Sequence, residues 1–195
     1  MTELTVKSFA SPEVSIREIL RYAKAREDDA KTIKLLNECL EEALPKLTYK
    51  TVHAELEVSI NGNTCDIGGI IIHSAALSKK LSGVKRAILV TATVGFGIDR
   101  LTAKYSRTSP TKALLMQAIG TERVEALLDA LTDEIRKDCK KLLPRFSVGY
   151  ADAALEAQRA ITERLNTAKT VGVFLSDSLI MTPTKSVTAI IGIDV

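Results

Sequence analysis

Two amphipathic segments precede residue 45. In each, apolar residues recur at three- and four-residue spacing with polar residues between them, which is typical of helices that lay one face on a core. Ser11-Pro12 can open the first helix, and Pro45 should end the second because proline removes a backbone donor and clashes with the preceding turn. The two apolar stripes are Ile16, Ile19 and Leu20, then Ile33, Leu36, Leu40 and Leu44.

From residue 52 the apolar period changes to two, which predicts a strand with one buried face. The inward positions of this strand are Val52, Ala54, Leu56, Val58 and Ile60. Asn61-Gly62 predicts a hairpin with a type I′ turn, since both central residues of that turn need positive φ. A return strand should begin near Thr64, and we interpret Gly68-Gly69 as a bulge within it. A short helix is expected over residues 74–81.

A mostly apolar strand is predicted over residues 87–93, followed by a glycine loop and a helix. Strand, glycine loop and helix can bind a nucleotide, but Gly95-x-Gly97 lacks the third glycine of the dinucleotide fingerprint. Tight packing is the alternative explanation of these glycines. Ser109-Pro110 should cap a further helix, cap first and proline at the first helical position, and this helix should end at Gly120.

The longest helix is predicted to open at Thr121. Its apolar stripe is Val124, Leu127, Leu128, Leu131, Ile135, Cys139 and Leu142, and its polar face carries Glu125, Asp129, Asp133 and Glu134. These acids suit a solvated face, or they could place one carboxylate near a bound cation. A helix over 155–166, a strand over 171–175 and a last strand alternating from Val187 to Val195 complete the pattern. Hairpin strands mixed with long helices predict an α+β fold with a largely antiparallel sheet.

Composition narrows the function. The length of 195 residues suits one domain, residues 1–195. A formal charge of +3 from 27 basic and 24 acidic side chains, with 4% aromatic residues, argues against a nucleic-acid-binding protein. Residues 1–9 lack the apolar core of a signal peptide, and no apolar run approaches a membrane span, so we expect a cytoplasmic protein without a membrane partner.

The residue types that most often build metal and acid–base sites are sparse. Cys39, Cys65 and Cys139 are odd in number and widely spaced, which predicts buried thiols rather than disulfides or a zinc site. His53 and His73 show no Ser-His-Asp or metal-ligand spacing. We therefore predict no metal site and no catalytic side chain.

The segment 144–150 has the composition of a binding loop. Arg145 offers a planar fork of donors suited to a carboxylate or phosphate. Gly149 permits close approach of a ligand to the backbone, and Tyr150 adds an aromatic face with a hydroxyl tip. A solvated arginine and a packing tyrosine are the alternative.

A family resemblance extends from this loop in both directions. Arg-Phe-Ser-Val-Gly-Tyr at 145–150, followed by Ser-Asp-Ser at 176–178, Met181, Pro183 and Ser-Val-Thr at 186–188, resembles the activation (reactivation) domain of cobalamin-dependent methionine synthase. That family reads Arg-x-x-x-Gly-Tyr, then Thr-Glu-Ser, Met, Pro and Ser-Val-Ser in the same order. Residues 87–101 are similar to a segment of its stand-alone members. The resemblance thus spans about residue 87 to the C-terminus.

The resemblance implies a fold and a ligand. The fold would be a twisted, largely antiparallel sheet covered by helices, which binds S-adenosylmethionine in a shallow groove. Arg145 would hold the ligand's carboxylate, main-chain groups of the loop would reach its adenosyl part, and Tyr150 would lie near its sulfonium. The implied binding residues are Arg145, Ser147, Val148, Gly149 and Tyr150, with Asp177, Ser178, Thr93 and Gly95 as secondary candidates.

The implied role is that of a stand-alone activation subunit, which supports reductive methylation of cob(II)alamin on a separate cobalamin-dependent methionine synthase or another corrinoid protein. Cobalamin would come only with that partner, because the Asp-x-His-x-x-Gly type of corrinoid segment is absent. A flavodoxin-type protein is a candidate electron donor. Two alternatives stay open. One is a non-catalytic module that binds S-adenosylmethionine or a corrinoid protein. The other is a small-molecule methyltransferase, which is disfavoured by the incomplete glycine fingerprint and the lack of an evident base.

Overall fold

A computed structural model describes residues 3–137 and 141–194. The main sheet contains β1 (Thr5–Phe9), β2 (Tyr49–Asn61), β3 (Thr64–Ile67), β4 (Ile70–His73), β5 (Arg86–Thr93), β6 (Lys141–Leu142) and β9 (Ser186–Asp194), while β7 (Phe174–Leu175) and β8 (Met181–Thr182) form a separate hairpin. The strand order is β4-β3-β2-β5-β9-β6, with β1 also paired to β2. Each of these pairings is antiparallel, which confirms the predicted sheet.

Helices pack on both faces of the sheet, and the fold is α+β, as predicted. The helices are α1 (Ile16–Ala23), α2 (Ala30–Ala43), α3 (Ala75–Lys80), α4 (Gly97–Ser106), α5 (Pro110–Ile135), α6 (Ala157–Arg164) and α7 (Thr167–Thr170), with a 3₁₀ turn at Leu44–Lys46 after α2. One core cluster joins the sheet to α1, α2, α4 and α5, and the other joins it to α3, α6 and the β3–β4 hairpin. Strand β5 supplies Ile88 and Val90 to the first cluster and Ala87 and Leu89 to the second, which explains its continuous apolar run.

The two glycine-containing turns of the β2–β4 region differ in detail from the prediction. Asn61 pairs with Thr64, so the first turn is Gly62-Asn63, one residue later than predicted. Only Gly62 of this turn has positive φ, at 58°, which does not fit type I′ and suits a turn that needs one such residue. Gly68 and Gly69 both have positive φ and connect paired Ile67 and Ile70, so they form a second hairpin turn rather than a bulge.

The helix predicted to end at Gly120 and the one predicted to open at Thr121 are a single helix, the 26-residue α5. A Cβ at Gly120 would lie 2.9 Å from Ile98 Cγ2 and 2.7 Å from Lys185 Cγ. Glycine is therefore needed there for close packing against α4, and it does not end the helix. Leu142, which we placed on the stripe of this helix, instead lies in β6 and pairs with Ile193.

Other boundaries moved by a few residues. The first helix is capped by Ser15 rather than opened by Ser11-Pro12. The predicted helix over 155–166 is the shorter α6, and only Phe174–Leu175 of the predicted 171–175 strand is extended. Cys39 and Cys65 are buried free thiols, as predicted. Cys139 and Val195 lie outside the described residues.

A buried ion pair fixes the N-terminal segment 12–15 to α5. Arg123 is fully buried, and its guanidinium donates to Glu122 at 2.5 and 2.6 Å and to the carbonyls of Pro12 and Glu13, both at 2.6 Å. Ser15 N–H donates to Glu122 at 3.0 Å. Burial opposes the charge on Arg123, but its hydrogen bonds to Glu122 raise its pKa above the ordinary value. Among the described residues, no helix is long and apolar enough to cross a membrane.

Candidate functional site

The loop 144–150 runs beside β9 in continuation of β6. Phe146 and Ile190 exchange backbone hydrogen bonds at 2.9 and 2.7 Å. Ser147 Oγ then donates to the carbonyl oxygen of Thr188 at 2.7 Å, and Val148 is buried at 4% exposure. These bonds fix the loop to the sheet, so the side chains that follow have defined positions.

The tip of the loop is a tight turn built on Gly149. This glycine has φ +87°, and its N–H donates to the carbonyl of Ala153 at 2.9 Å. A Cβ at this position would lie 3.0 Å from Leu155 Cδ1. The turn leaves Tyr150 71% exposed, so its ring is available to a ligand or a partner.

Asp152, which sequence reasoning did not select, attaches the same turn to the N-terminus of α3. Its carboxylate accepts from Ser74 Oγ at 2.5 Å and from the N–H groups of Ala75 and Ala76 at 2.7 and 3.3 Å. The hydrogen bond from Ser74, helped by those from the backbone, lowers the pKa of Asp152. The negative charge also lies at the favourable end of the helix dipole.

Arg145 lies in the wall of a cavity of about 520 Å³. Its side chain is 26% exposed and pairs with two acids of α5: Nη1 donates to Asp129 Oδ1 at 2.8 Å and Nη2 to Glu125 Oε2 at 3.0 Å. A guanidinium has five N–H donors, and Arg145 donates no further hydrogen bond to a described residue. Three donors therefore remain for a ligand.

The cavity has a mixed lining. Tyr150, Leu155, Leu179, Met181 and Val187 give it apolar surface, while Glu125, Ser147, Gln158 and Thr188 bring polar groups. Gln158 is buried, and its Oε1 accepts from Thr188 Oγ1 at 3.0 Å, which ties α6 to β9 beneath the cavity. No histidine, cysteine or lysine among the described residues lines it.

Arg145 also lines a smaller cavity, of about 460 Å³. Glu125 and Asp129 line it together with further acids: Glu13, Glu18, Glu122 and Asp133. The sequence left two explanations for the acids of this helix face, a solvated face or one carboxylate near a bound cation. In the structure, Glu125 and Asp129 pair with Arg145 of the loop. The other two pair elsewhere, Asp133 with Arg136 and Glu134 with Lys7.

None of the secondary candidates lines the cavity of about 520 Å³ beside Arg145, although Ser178 directly precedes Leu179, which does. Asp177 and Ser178 are exposed in the loop between β7 and β8, where the Asp177 carbonyl accepts from Arg159 and Ser178 Oγ lies 2.9 Å from Ser176 Oγ. Thr93 is buried and accepts from Ser186 Oγ at 2.8 Å and from Gly95 N–H at 3.2 Å. Gly95 lines a different cavity.

Neither histidine lines the cavity beside Arg145. His53 is half-buried in β2, where burial and then the charge of Lys7 lower its pKa. His73 is exposed in β4, with Nδ1 3.0 Å from Thr64 Oγ1. Within residues 3–137 and 141–194, no group of three or more His, Cys, Asp or Glu side chains is arranged to hold a metal ion.

Comparison with known proteins gives a match at the level of structure. No family model matches the chain, and no curated protein matches it in sequence. A crystal structure of the MetH reactivation domain bound to AdoHcy aligns with a TM-score of 0.68, over 97% of this chain and 78% of that one. The chain has the fold of that domain. At 14% identity, the match to the MetH reactivation domain is evidence for the fold alone.

Proposed function

We propose that this chain binds S-adenosylmethionine in the cavity beside Arg145 and acts as an activation subunit for a separate cobalamin-dependent methionine synthase. The observation that carries the proposal is a partly buried arginine with free donors in a ligand-sized cavity. The structural neighbour supports the ligand class, because AdoHcy is what S-adenosylmethionine becomes when it gives up its methyl group.

The charges of the site suit the amino-acid end of this ligand. S-adenosylmethionine carries one carboxylate and two cations, the ammonium and the sulfonium. The free N–H donors of Arg145 can take the carboxylate by charge-assisted hydrogen bonds. Glu125, which lines the same cavity, can receive a cation while it keeps its bond to Arg145. One arginine with Glu125 and Asp129 leaves the site one negative charge, opposite to the net charge of the ligand.

The rest of the cavity suits the adenosyl group. A volume of about 520 Å³ lies within the range of small-molecule sites. Leu155, Leu179 and Met181 offer apolar contact, and Tyr150 at the rim can cover a ring or approach the sulfonium through its π face.

The chain's own part in methyl transfer is to bind and orient the donor. The described side chains that line the cavity include no histidine, cysteine or lysine, and their one carboxylate, Glu125, is paired with Arg145. We therefore assign this site the role of positioning the methyl donor. A corrinoid carried by the partner would supply the nucleophile that accepts the methyl group. The exposed Tyr150 face leaves the site open toward such a partner.

Calorimetry with S-adenosylmethionine tests the binding step. Arg145→Ala should weaken binding by about 1.5–3 kcal/mol, or about 10- to 150-fold, the usual worth of a hydrogen bond to a charged group. Arg136→Ala is the matched control, because Arg136 is an exposed arginine that pairs with Asp133 and lies outside the cavity. No uptake by wild type at millimolar ligand, or equal loss in both variants, would refute the proposed site.

Transfer of a labelled methyl group tests the function. The assay combines S-adenosylmethionine, a cob(II)alamin-loaded methionine synthase and a flavodoxin-type reductant, with wild type or Arg145→Ala. Label on the partner's cobalamin that requires wild-type protein supports the activation role. Tight ligand binding without transfer would instead indicate a binding module, and transfer to a small acceptor without any corrinoid protein would indicate an independent methyltransferase.

A further inference from the structure

A separate cavity, of about 750 Å³, lies at the end of β5 where the strand leads into α4. It is lined by the loop 95–97, the start of α4, the 3₁₀ turn after α2 and the start of β2. Arg145 and the other residues of the loop 145–150 do not line it. The cavity is therefore distinct from the site proposed for S-adenosylmethionine.

Positive charge is concentrated around this cavity. The charged lining consists of four cations and one carboxylate, namely Lys46, Lys50, Arg100, Lys104 and Glu42. Four cations against one carboxylate leave a local surplus of three positive charges. Such a surplus on a concave surface attracts anions.

The carboxylate is already neutralised by its neighbours. Glu42 accepts from Lys104 at 2.7 Å, from Tyr105 Oη at 2.5 Å and from Lys46 at 3.2 Å. The hydrogen bonds from Lys104 and Tyr105 lower the pKa of Glu42 to about 2. Glu42 thus occupies Lys46 and Lys104 and leaves the other two cations without a counter-charge.

Lys50 and Arg100 are these two remaining cations. Neither forms an ion pair or a side-chain hydrogen bond with another residue in the described part of the chain. Asp99, the acid nearest to Arg100 in sequence, does not line the cavity and instead accepts from the N–H and hydroxyl of Thr184. Two cations on one concave surface without a carboxylate partner suit a ligand that brings more than one negative charge.

The cavity also offers an apolar surface. Phe96 is 42% exposed in the lining, beside Leu101, Val171 and Pro183. An exposed aromatic ring in the same lining as two unpaired cations suits a ligand that is anionic at one end and planar at the other.

Packing explains both glycines of the loop 95–97. A Cβ at Gly95 would lie 2.3 Å from Thr48 Oγ1, and a Cβ at Gly97 would lie 2.2 Å from the carbonyl oxygen of Lys46. Close packing against Lys46 and Thr48 therefore accounts for both glycines. The charges and the ring are the features that point to a ligand.

We propose that this cavity binds a small molecule that carries several phosphates and a planar ring, such as a nucleoside triphosphate. Lys50 and Arg100 bind the phosphates, and the base lies against Phe96. The size of the cavity accommodates such a molecule.

Calorimetric titration with ATP, tripolyphosphate and adenosine tests the site. Wild type should bind ATP, tripolyphosphate more weakly, and adenosine most weakly, since the charges supply most of the attraction. Lys50→Ala and Arg100→Ala should each lower the ATP affinity at least about tenfold. Arg107→Ala, at the other end of α4, is the matched control and should leave the affinity unchanged.

Three outcomes would overturn the proposal: no ATP binding at millimolar concentration, equal losses in Arg100→Ala and Arg107→Ala, or adenosine binding as tightly as ATP. Absence of ATP binding would indicate that the positive charge instead contacts an acidic protein surface. Equal losses in the two arginine variants would show that ATP is attracted unspecifically. The two sites are tested independently, because Arg145→Ala should not change ATP affinity and Arg100→Ala should not change S-adenosylmethionine affinity.

Discussion

Replacing Arg123 by methionine should be among the most destabilising single changes in this protein. The methionine side chain keeps much of the buried volume but removes the charge and all the donors. Glu122, 4% exposed, would then keep only the hydrogen bond from Ser15 N–H. The carbonyls of Pro12 and Glu13 would lose the donors that now lie 2.6 Å away.

The size of the expected loss of stability follows from the charge of Glu122, which stays buried after the substitution. Removing one partner of a buried ion pair costs about 3–5 kcal/mol, because the remaining charge has no partner. Total stabilities of domains are about 5–15 kcal/mol, so about a fifth or more of the stability is at stake. For a chain of this size each kcal/mol corresponds to about 2–4 °C in Tm, which gives an expected loss of about 6–20 °C.

Urea denaturation followed by circular dichroism measures this cost, and a double-mutant cycle isolates its cause. Glu122→Gln combined with Arg123→Met should be less destabilising than the sum of the two single changes, since the pair then leaves no unpaired charge. Arg136→Met, which breaks an exposed pair with Asp133, should cost less than about 1 kcal/mol. Equal costs for Arg123→Met and Arg136→Met, or strict additivity in the cycle, would refute the reasoning.

Three further predictions concern the loop and the acid dependence of stability. Gly149→Ala should cost about 1–3 kcal/mol through its φ of +87° and move Leu155, weakening S-adenosylmethionine binding in calorimetry. Gly62→Ala has positive φ but open space, so unchanged binding there is the control. Asp152→Asn should loosen the turn from α3 and lower ligand affinity while circular dichroism stays the same; unchanged affinity would contradict this role. The Glu42 carboxyl should titrate in NMR near a pKa of about 2, below its ordinary 4.5. Its contribution to stability is therefore complete above pH 4.5 and is lost as the pH falls toward 2, and Glu42→Gln should remove that part of acid denaturation.

Local periodicity predicted the elements of the fold better than their ends. The alternation over 52–60 predicted the buried face of β2 because each inward residue meets the same core. The continuity of α5 could not be predicted, since a glycine in a helix costs about 1 kcal/mol and usually signals an end. The reason for Gly120 lies in Ile98 and Lys185, residues that are distant in sequence and adjacent in space.

Only those features of the candidate site that depend on residues close together in the sequence could be predicted. The run 145–150 predicted a loop, and the structure places Arg145 in a cavity wall. Its partners Glu125 and Asp129 lie 20 and 16 residues away, and only the turn of the chain after α5 brings them to it. The contact of Asp152 with Ser74 spans 78 residues and has no signature in the sequence.

The position of β9 has a consequence for synthesis of the protein. β5 lies between β2 and β9, and its residue Ala92 pairs with Val187. The middle of the sheet therefore cannot be completed until a segment about a hundred residues further along the chain has been synthesised. Until residues 186–194 leave the ribosome, the nascent chain presents an unpaired apolar strand edge, the feature that promotes aggregation. We therefore expect polypeptides truncated before Ser186 to be captured by chaperones or to precipitate, and the rate of refolding to be limited by this long-range closure.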